Sequence, residues 1–306
     1  MRNLRTEDEI IANWKSDIDQ PVVSICCITY NHQPYIEDAL EGFLIQETDF
    51  PFEILIHDDA STDRTADIIR EYQAKYPRLI KPIYQTENQY SKGLKMNPTF
   101  NFPRAKGKFI ALCEGDDKWI NRNKLQIQLD CMRKYRWIDI SFHKAVLKGH
   151  GREEIISDNG EKIKIIPSRN VLIKGGGFMP TSTIIFRSDV LNNTLLNDLL
   201  KISKVGDYVV QCIASRENGA LYLPYEFSVY NFSTPSSYSK RHHETTNQLE
   251  RAIIRSKLKI KLAYLLKYKL TSKLAVVNHG AIDIVKSLIR LIIENNGILK
   301  SKEKSN

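Results

Sequence analysis

The sequence predicts an α/β protein built on a doubly wound, mainly parallel sheet. Short apolar runs rich in β-branched residues alternate with amphipathic stretches of helical periodicity, and the connections between them are short. A polar cluster directly follows three of the predicted strands, as expected where strands of one sheet end at a shared edge. With 42% hydrophobic residues, the 306-residue chain can bury a full-sized core, which excludes a disordered or collagen-like protein.

In the first half of the chain, strands and helices are predicted in alternation. Thr6 and Glu9 have the spacing of a capping box and predict a short N-terminal helix, which Pro21 closes. Strands are predicted at 22–29, 53–57, 79–84 and 108–113. Helices are predicted from apolar residues at helical spacing, namely Ile36, Leu40, Phe43 and Leu44, then Ile68, Ile69 and Tyr72, then the stretch 122–135.

Beyond residue 137 the alternation is less regular. We predict strands at 137–146, 181–186 and 227–230, a polar segment at 149–180, and a helix that begins at Gly206 and Asp207. The predicted organisation is an N-terminal helix (1–20), an α/β domain (21–240) with halves 21–137 and 138–240, and a basic helical extension (241–306).

The net charge of +9 lies entirely in the last 58 residues. Residues 1–248 carry 32 Lys and Arg against 32 Asp and Glu, whereas residues 249–306 carry 13 against 4. A protein that coats nucleic acid would spread positive charge over its fold, so we expect no nucleic-acid partner. The segment 249–306 is interpreted as docking on an anionic membrane surface. The alternative is packing against the α/β domain or against a second copy in a homodimer.

Cysteine usage and hydropathy bear on the compartment. The five cysteines form no CxxC pair, which predicts free thiols in a reducing compartment. Residues 1–19 lack the apolar region of a signal peptide, and no stretch reaches the roughly 18 uncharged apolar residues of a membrane span. We therefore expect a cytoplasmic protein, with peripheral attachment at the inner face of the membrane through its basic extension.

The densest polar cluster is acidic and follows the strand predicted at 108–113. Glu114, Asp116 and Asp117 lie within four residues, with Gly115 between them. Carboxylates this close repel one another unless a cation joins them, and hard oxygen ligands suit Mg²⁺ or Mn²⁺ bound together with substrate phosphates. The alternative from these residues alone is a solvated turn, or a helix capped by Asp117.

Two further clusters follow predicted strands at the same edge. Asp58 and Asp59 precede a helix, where they either recognise a nucleotide or cap the helix. Thr29 and Tyr30 follow the first strand, and the Tyr30 ring either covers a nucleobase or packs against the fold. Asp207 stands alone downstream and is a candidate general base or a helix cap.

Three segments together resemble a bacterial family 2 inverting glycosyltransferase with the GT-A fold. These segments are VSICCITYNHQPYIEDAL at 23–40, EILIHDDASTDRTADII at 53–69 and GKFIALCEGDDKW at 107–119. The resemblance implies a GT-A sheet, the Rossmann-like sheet of nucleotide-diphospho-sugar transferases, flanked by helices. It also implies that the half 21–137 binds nucleotide and metal, and that the half 138–240 binds the acceptor.

The resemblance further implies roles for individual residues. The nucleotide-sugar donor would contact Thr29, Tyr30, Asp58, Asp59, Glu114 and Asp117. Asp116 would bind a Mg²⁺ or Mn²⁺ ion, and Asp207 would be the catalytic base. Thr181 and Ser182 would form the acceptor side of the pocket.

The sequence departs from the family pattern at two places. Glu114 stands where the first Asp of the DxD metal motif is expected, which lengthens the side chain by one methylene and keeps the ligand type. The stretch Tyr230-Asn231-Phe232-Ser233 lacks the His of a late Tyr-x-x-His motif, and His242 or His243 is a candidate substitute.

The implied activity is sugar transfer from a nucleotide-diphospho-sugar, in the first place a UDP-sugar, to an acceptor hydroxyl. The reaction would be metal-dependent and inverting, and the acceptor would be a saccharide or lipid-linked saccharide in cell-surface polysaccharide or glycan synthesis. One alternative is a sugar-nucleotide nucleotidyltransferase, which is expected to carry a Gly-rich loop where this chain reads TYNHQPY. Another is a non-catalytic scaffold that binds a nucleotide or a membrane.

Overall fold

The computed structural model describes residues 4–149, 151–203, 206–232, 234, 248–267 and 269–303. The described residues form one ten-stranded sheet. Its strands are β1 (Val23–Thr29), β2 (Phe52–Asp58), β3 (Ile80–Tyr84), β4 (Phe109–Leu112), β5 (Lys118–Trp119), β6 (Ile140–Gly149), β7 (Arg152–Ile156), β8 (Lys164–Ile166), β9 (Ile185–Arg187) and β10 (Ala220–Asn231).

Helices cover the sheet and extend the chain beyond it. They are α1 (Glu7–Ile11), α2 (Ile36–Leu44), α3 (Thr65–Lys75), α4 (Lys124–Lys134), α5 (Ser168–Lys174), α6 (Leu196–Ile202), α7 (Gly206–Ser215), α8 (Gln248–Leu265) and α9 (Leu270–Glu303). The capping box predicted at the start of α1 is present, because the Thr6 and Glu9 side chains each accept a hydrogen bond from the other residue's backbone N–H.

The strand order is β3-β2-β1-β4-β9-β6-β10-β5, with β7 added to β6 and β8 added to β10. The first four strands are parallel and form the doubly wound half that the sequence predicts. β9 is antiparallel to both of its neighbours, whereas the long pairing of β10 with β6 is again parallel. The predicted mixed α/β architecture is confirmed.

The second half differs from the sequence prediction in three places. The strand predicted at 181–186 begins with a 3₁₀ turn, Thr181–Thr183, and the strand itself is Ile185–Arg187. The turn forms because the backbone N–H and hydroxyl of Thr183 both donate to the Pro180 carbonyl. The polar segment 149–180 contains β7, β8 and α5, and the short last strand is the end of the longer β10.

The core lies on both faces of the sheet, because successive strand residues point to opposite sides. Ile25 and Cys27 belong to one buried cluster and Cys26 to the other. All five cysteines are free thiols, as predicted.

The C-terminal helices pack against the α/β domain, which was one of the two alternatives for the basic extension. Four residues of this segment are buried in the same cluster as Ile110 and Phe142, namely Leu262 and Ala263 of α8, Leu266 just after it and Val276 of α9. None of the helices in the described part of the chain has the length and apolarity required to cross a bilayer.

Candidate active site

The carboxyl ends of β1, β2 and β4 lie together at one edge of the sheet. Thr29, the last residue of β1, is in register with Asp58, the last residue of β2. The backbone N–H of Gly115, just beyond β4, donates to the Ile28 carbonyl at 2.9 Å. The acidic loop 114–117 therefore lies beside the end of β1, where the sequence places it.

Gly115 allows this loop to pass directly over Thr29. A Cβ atom built on Gly115 would lie 2.8 Å from both the Cβ and the Oγ1 of Thr29, which is closer than side-chain atoms pack. Any other residue at this position would push the acidic loop away from the sheet edge.

The end of β10 holds the acidic loop from the other side. Asn231 donates from its backbone N–H to Asp117 Oδ1 at 3.0 Å and from its side-chain amide to the Asp116 carbonyl at 2.6 Å. The Thr234 hydroxyl donates to Asp116 Oδ2 at 2.7 Å, and His32 Nε2 lies 3.7 Å from the same oxygen. Both Asp116 and Asp117 are buried.

Asn231 and Thr234 are functional candidates that sequence reasoning missed. The available signal was the late motif that begins at Tyr230, where an expected His is absent. The structure places a hydroxyl against Asp116 one residue beyond that position. The candidate substitutes His242 and His243 lie outside the described residues.

Burial raises the pKa values of three acidic residues at the site, and repulsion between carboxylates adds to the effect for two of them. Burial, followed by repulsion from Asp116 and Asp207, raises the pKa of Glu114 to about 8. Burial, together with the charges of Asp116 and Glu114, raises the pKa of Asp117 well above its usual value. Burial raises the pKa of Asp207 to about 6, although the backbone N–H groups of Asp207 and Tyr208 at the start of α7 favour its ionised form. These groups would all ionise more readily beside a cation.

Glu114, Asp116 and Asp207 line one cavity of about 630 Å³. Thr181 and Tyr230 also line it, and the nearby carboxylates raise the pKa of the half-buried Tyr230 phenol further than burial alone does. Four basic residues in the cavity wall were not predicted from the sequence, namely Lys95, Arg251, Arg255 and Lys259. A substrate in this cavity can therefore contact Asp116, which is the candidate metal ligand, and Asp207, which is the candidate base. It can also contact the four basic side chains.

Asp58 and Asp59 lie at the sheet edge but outside the lining of this cavity. The Asp58 carboxylate accepts hydrogen bonds from the hydroxyl and the backbone N–H of Ser61, which closes the turn before α3. The Asp59 carboxylate accepts from the backbone N–H groups of Gln89 at 2.7 Å and Tyr90 at 3.0 Å. A nucleobase bound to Asp59 would share or replace these bonds to the 85–92 loop.

Three further predicted site residues, Thr29, Tyr30 and Ser182, also lie outside the lining of the cavity. Thr29 is buried, and its hydroxyl has no hydrogen-bond partner among the described residues. Tyr30 is half-buried next to it and does not line the cavity. Ser182 is buried behind Thr181, and its carbonyl accepts a 2.8 Å hydrogen bond from the indole of Trp119. Ser182 thus holds β5, the strand that follows the acidic loop.

The residues present fit a divalent cation that is bound jointly by protein and substrate. Asp116 Oδ1 is buried and has no hydrogen-bond partner among the described residues, so it is an oxygen available to a cation. No three His, Cys, Asp or Glu side chains converge into a complete ligand set within the described part of the chain. Mg²⁺ and Mn²⁺ commonly bind through one or two carboxylates, with water and substrate phosphates completing the shell.

Comparison with known proteins identifies the family. The sequence model described as Glycosyl transferase family 2 matches residues 24–191, so the chain belongs to the family 2 glycosyltransferases. The chain is 28% identical over 238 residues to the Escherichia coli UDP-Glc:alpha-D-GlcNAc-diphosphoundecaprenol beta-1,3-glucosyltransferase WfgD, covering 76% of this chain and 85% of that one. It spans only 46% of the length of mycobacterial relatives that are uncharacterised and 35% identical over 172 residues.

Solved structures confirm the GT-A fold. Staphylococcus aureus TarS, in a crystal with UDP, aligns with a TM-score of 0.62 and 19% identity over 83% of this chain and 69% of that one. The mannosyltransferase PcManGT of Pyrobaculum calidifontis, in complex with GDP-Man and Mn²⁺, aligns with a TM-score of 0.53 and 16% identity over 92% and 80% of the two chains. At these identities the likeness establishes the fold alone.

The raised pKa of Asp207 predicts a pH-dependent gain in stability for Asp207→Asn. The folded-state pKa of about 6 lies above the ordinary unfolded value of about 3.9, so wild-type stability falls as the pH rises through this range. The neutral variant avoids that loss. Between pH 4.5 and pH 7.5, we expect its melting temperature relative to wild type to rise by roughly 2–4 °C.

Differential scanning calorimetry in EDTA measures this difference. The matched control is Asp189→Asn, which replaces an exposed carboxylate outside the cavity and should show a constant difference from wild type. A constant difference for Asp207→Asn as well would show that Asp207 ionises normally in the folded protein.

Proposed function

We propose that the protein transfers a sugar from a nucleotide-diphospho-sugar, in the first place a UDP-sugar, to an acceptor hydroxyl with inversion at the anomeric carbon. The observation that carries the proposal is that Asp207, Glu114 and Asp116 all line one cavity. A base and a metal-binding carboxylate in one cavity are the two groups that such a transfer needs. The cytoplasm, where nucleotide sugars are made, is the compartment that we propose.

Names of relatives support the choice of substrates. WfgD is named for a UDP-glucose donor and a diphosphate-linked lipid acceptor, and TarS crystallised with UDP. PcManGT was solved with Mn²⁺ and a GDP-sugar, which supports a divalent cation in this family. We propose a saccharide or lipid-linked saccharide as the acceptor and polysaccharide or glycan synthesis as the role.

In the proposed reaction, Asp207 accepts the proton of the acceptor hydroxyl. The acceptor oxygen forms a bond to the anomeric carbon while the bond from that carbon to the diphosphate breaks, and the electron pair leaves with the nucleoside diphosphate. A Mg²⁺ or Mn²⁺ ion bound at Asp116, with Glu114 beside it, would neutralise charge that develops on the leaving diphosphate. The folded-state pKa of about 6 keeps Asp207 mostly ionised at neutral pH, as a base must be.

The other predicted site residues are proposed to contact the donor or the acceptor, or to support the site. Tyr30 and Thr29 would lie against the base, and Asp59, with Asp58 behind it, would bind the edge of the base after adjustment of the 85–92 loop. Asp117 would support the donor sugar side of the loop through Asn231. Thr181 would face the acceptor, and Ser182 would support this part of the site through the hydrogen bond that its carbonyl accepts from Trp119.

We also propose that α9 attaches the protein to a membrane surface. Its buried side carries Val276, and Asp283 on α9 lies 4.0 Å from Lys259 of α8, so both residues face the rest of the protein. An apolar stripe is left exposed, comprising Leu274, Val277, Ile282, Val285, Leu288 and Ile289. An exposed apolar helix face in a segment of net positive charge suits an anionic lipid surface.

A panel of UDP-, GDP- and dTDP-sugars with Mn²⁺ tests the proposed class of reaction. Release of nucleoside diphosphate with an inverted product supports the glycosyltransferase. Formation of pyrophosphate would instead indicate the nucleotidyltransferase, and the absence of any turnover would indicate a binding scaffold.

Asp207→Asn should lower kcat by about 10²–10⁴, because general-base help is lost while the shape of the cavity is kept. Donor affinity, measured by titration calorimetry, should stay within a factor of about two, and the Asp189→Asn control should keep full activity. The wild-type kcat/KM should rise with pH through about 6 as Asp207 loses its proton. Retention of most of the activity in Asp207→Asn would remove it as the base.

Asp116→Asn should weaken Mn²⁺-dependent UDP binding by about tenfold or more, because a charged ligand becomes neutral without a change of shape. Calorimetric titration with UDP in Mn²⁺ and again in EDTA separates the two contributions. The EDTA titration should be nearly the same for the variant and the wild type. An unchanged affinity in Mn²⁺ would place the metal elsewhere.

Ile282→Glu combined with Val285→Glu should reduce flotation with vesicles of mixed anionic and neutral lipid severalfold, because two charges then enter the apolar stripe. Ile155→Glu is the control, since Ile155 is a comparably exposed apolar residue on β7. Equal flotation of all the proteins would reject the membrane face, and a mass measurement by light scattering would then test a second copy as the occupant.

A further inference from the structure

Helix α8 contributes one wall of the cavity and points a row of cations into it. Arg251, Arg255 and Lys259 are spaced four residues apart, so they lie on the same face of the helix, and all three line the cavity. Lys257 and Lys261 are exposed on α8, alternate with this row and do not line the cavity. Some of the basic side chains of α8 therefore face the cavity and others face solvent, a division that the net charge of the segment does not show.

Lys259 fixes the helix in place. Its ammonium donates to the Ile173 carbonyl at 2.5 Å and lies 4.0 Å from Asp283 Oδ2. Its side chain passes over Gly175, where an added Cβ would lie 3.3 Å from Lys259 Cε. Together with the buried apolar residues at the end of α8, these contacts hold Arg251 and Arg255 against the cavity.

Arg251 and Arg255 differ from Lys259 in side-chain chemistry, because each carries a planar guanidinium group whereas Lys259 carries an ammonium group. Arg255 is exposed to the cavity and has no carboxylate partner among the described residues. Arg251 is 8% exposed and lines the same cavity one turn earlier. Guanidinium groups present planar forks of N–H donors that match phosphate oxygens, and a partly buried position strengthens such bonds. An uncharged sugar would gain little from two adjacent arginines, whereas a diphosphate would gain a bond to each.

We propose that Arg251 and Arg255 form a diphosphate-binding subsite of the cavity, separate from the metal candidate at Asp116. The subsite rests on the proposed function for the identity of its ligand, because both a nucleotide-diphospho-sugar donor and a diphosphate-linked acceptor carry this group. The ability of these two arginines to bind a diphosphate does not depend on the proposed function and can be tested separately.

Titration calorimetry of the full-length protein with inorganic pyrophosphate in EDTA tests the subsite without metal and without catalysis. Arg255→Gln should weaken binding by about tenfold, as expected for the loss of one charge-assisted contact. Arg251→Gln should do the same, and Arg251→Lys should recover part of the affinity. Lys257→Gln and Lys261→Gln remove equal charge from the same helix and should leave the affinity unchanged.

Arg255→Gln is the decisive variant, because Arg255 is exposed and its replacement leaves the core intact. The melting temperature of each variant confirms that it is folded. Pyrophosphate affinity that is unchanged in Arg255→Gln and Arg251→Gln, or reduced equally in the Lys257→Gln control, would overturn the subsite. An absence of pyrophosphate binding to the wild-type protein would overturn it as well.

Steady-state kinetics distinguishes the two sources of the diphosphate. If the donor supplies it, Arg255→Gln raises the donor KM about tenfold and leaves the acceptor KM unchanged. If the acceptor supplies it, the variant raises the KM of a short-chain lipid diphosphate sugar but not that of the same sugar as a simple alkyl glycoside. A change in kcat with every KM unchanged would contradict both and overturn the assignment.

The two proposals can fail separately. Loss of pyrophosphate binding in the arginine variants of a protein that turns over none of the donors would support the subsite and reject the glycosyltransferase. Turnover of a donor with normal pyrophosphate binding in the variants would do the reverse.

Discussion

The site depends on holding several carboxylates close together where water is largely excluded. Burial raises the pKa values of Glu114, Asp117 and Asp207, and repulsion from neighbouring carboxylates raises those of Glu114 and Asp117 further, so the fold must offset this cost before any substrate arrives. It does so with hydrogen-bond donors that carry no charge. Asn231 donates twice to the acidic loop, and the Thr234 hydroxyl donates to Asp116. Within the described residues Asp116 Oδ1 has no hydrogen-bond partner, so this oxygen is available to a cation. The pocket is thus preorganised by neutral donors and remains strongly attractive to positive charge.

This arrangement requires that the second half of the chain completes the site of the first. The acidic loop leads directly into β5, and Trp119 of β5 is in register with Ser228 of β10. β10 in turn lies parallel to β6, which places its last residue, Asn231, against the loop. The mixed part of the sheet is therefore what brings the late motif to the metal candidate. A purely parallel sheet of the first four strands would leave Asp116 and Asp117 without these partners.

The predictable part of the structure is the part that local sequence determines. The runs that became β1, β2 and β4 are mostly apolar and are followed by polar residues, so both the strands and the shared edge follow from short segments. The contacts that define the site link residues more than 100 positions apart, such as Asp116 with Thr234. The hydrophobic periodicity of a sequence predicts helices and strands, but it does not predict which distant residues come into contact. Asp59 shows the same limit at shorter range, because its bonds to Gln89 and Tyr90 depend on how a polar loop folds back over the strand end.

The basic extension shows why the position of a charge matters more than its sum. The sequence places the whole excess of +9 in the last 58 residues, which suggests one outward-facing docking surface. In the structure the basic side chains of this segment lie in different environments. Lys259 is bound to Ile173 and lies near Asp283, Arg251 and Arg255 face the cavity, and the exposed stripe of α9 is apolar. The cavity therefore carries carboxylates on the strand ends and cations on α8. A dianionic group beside a neutral sugar is the kind of ligand that needs both, because the cations attract its phosphates while a carboxylate remains free to accept a proton.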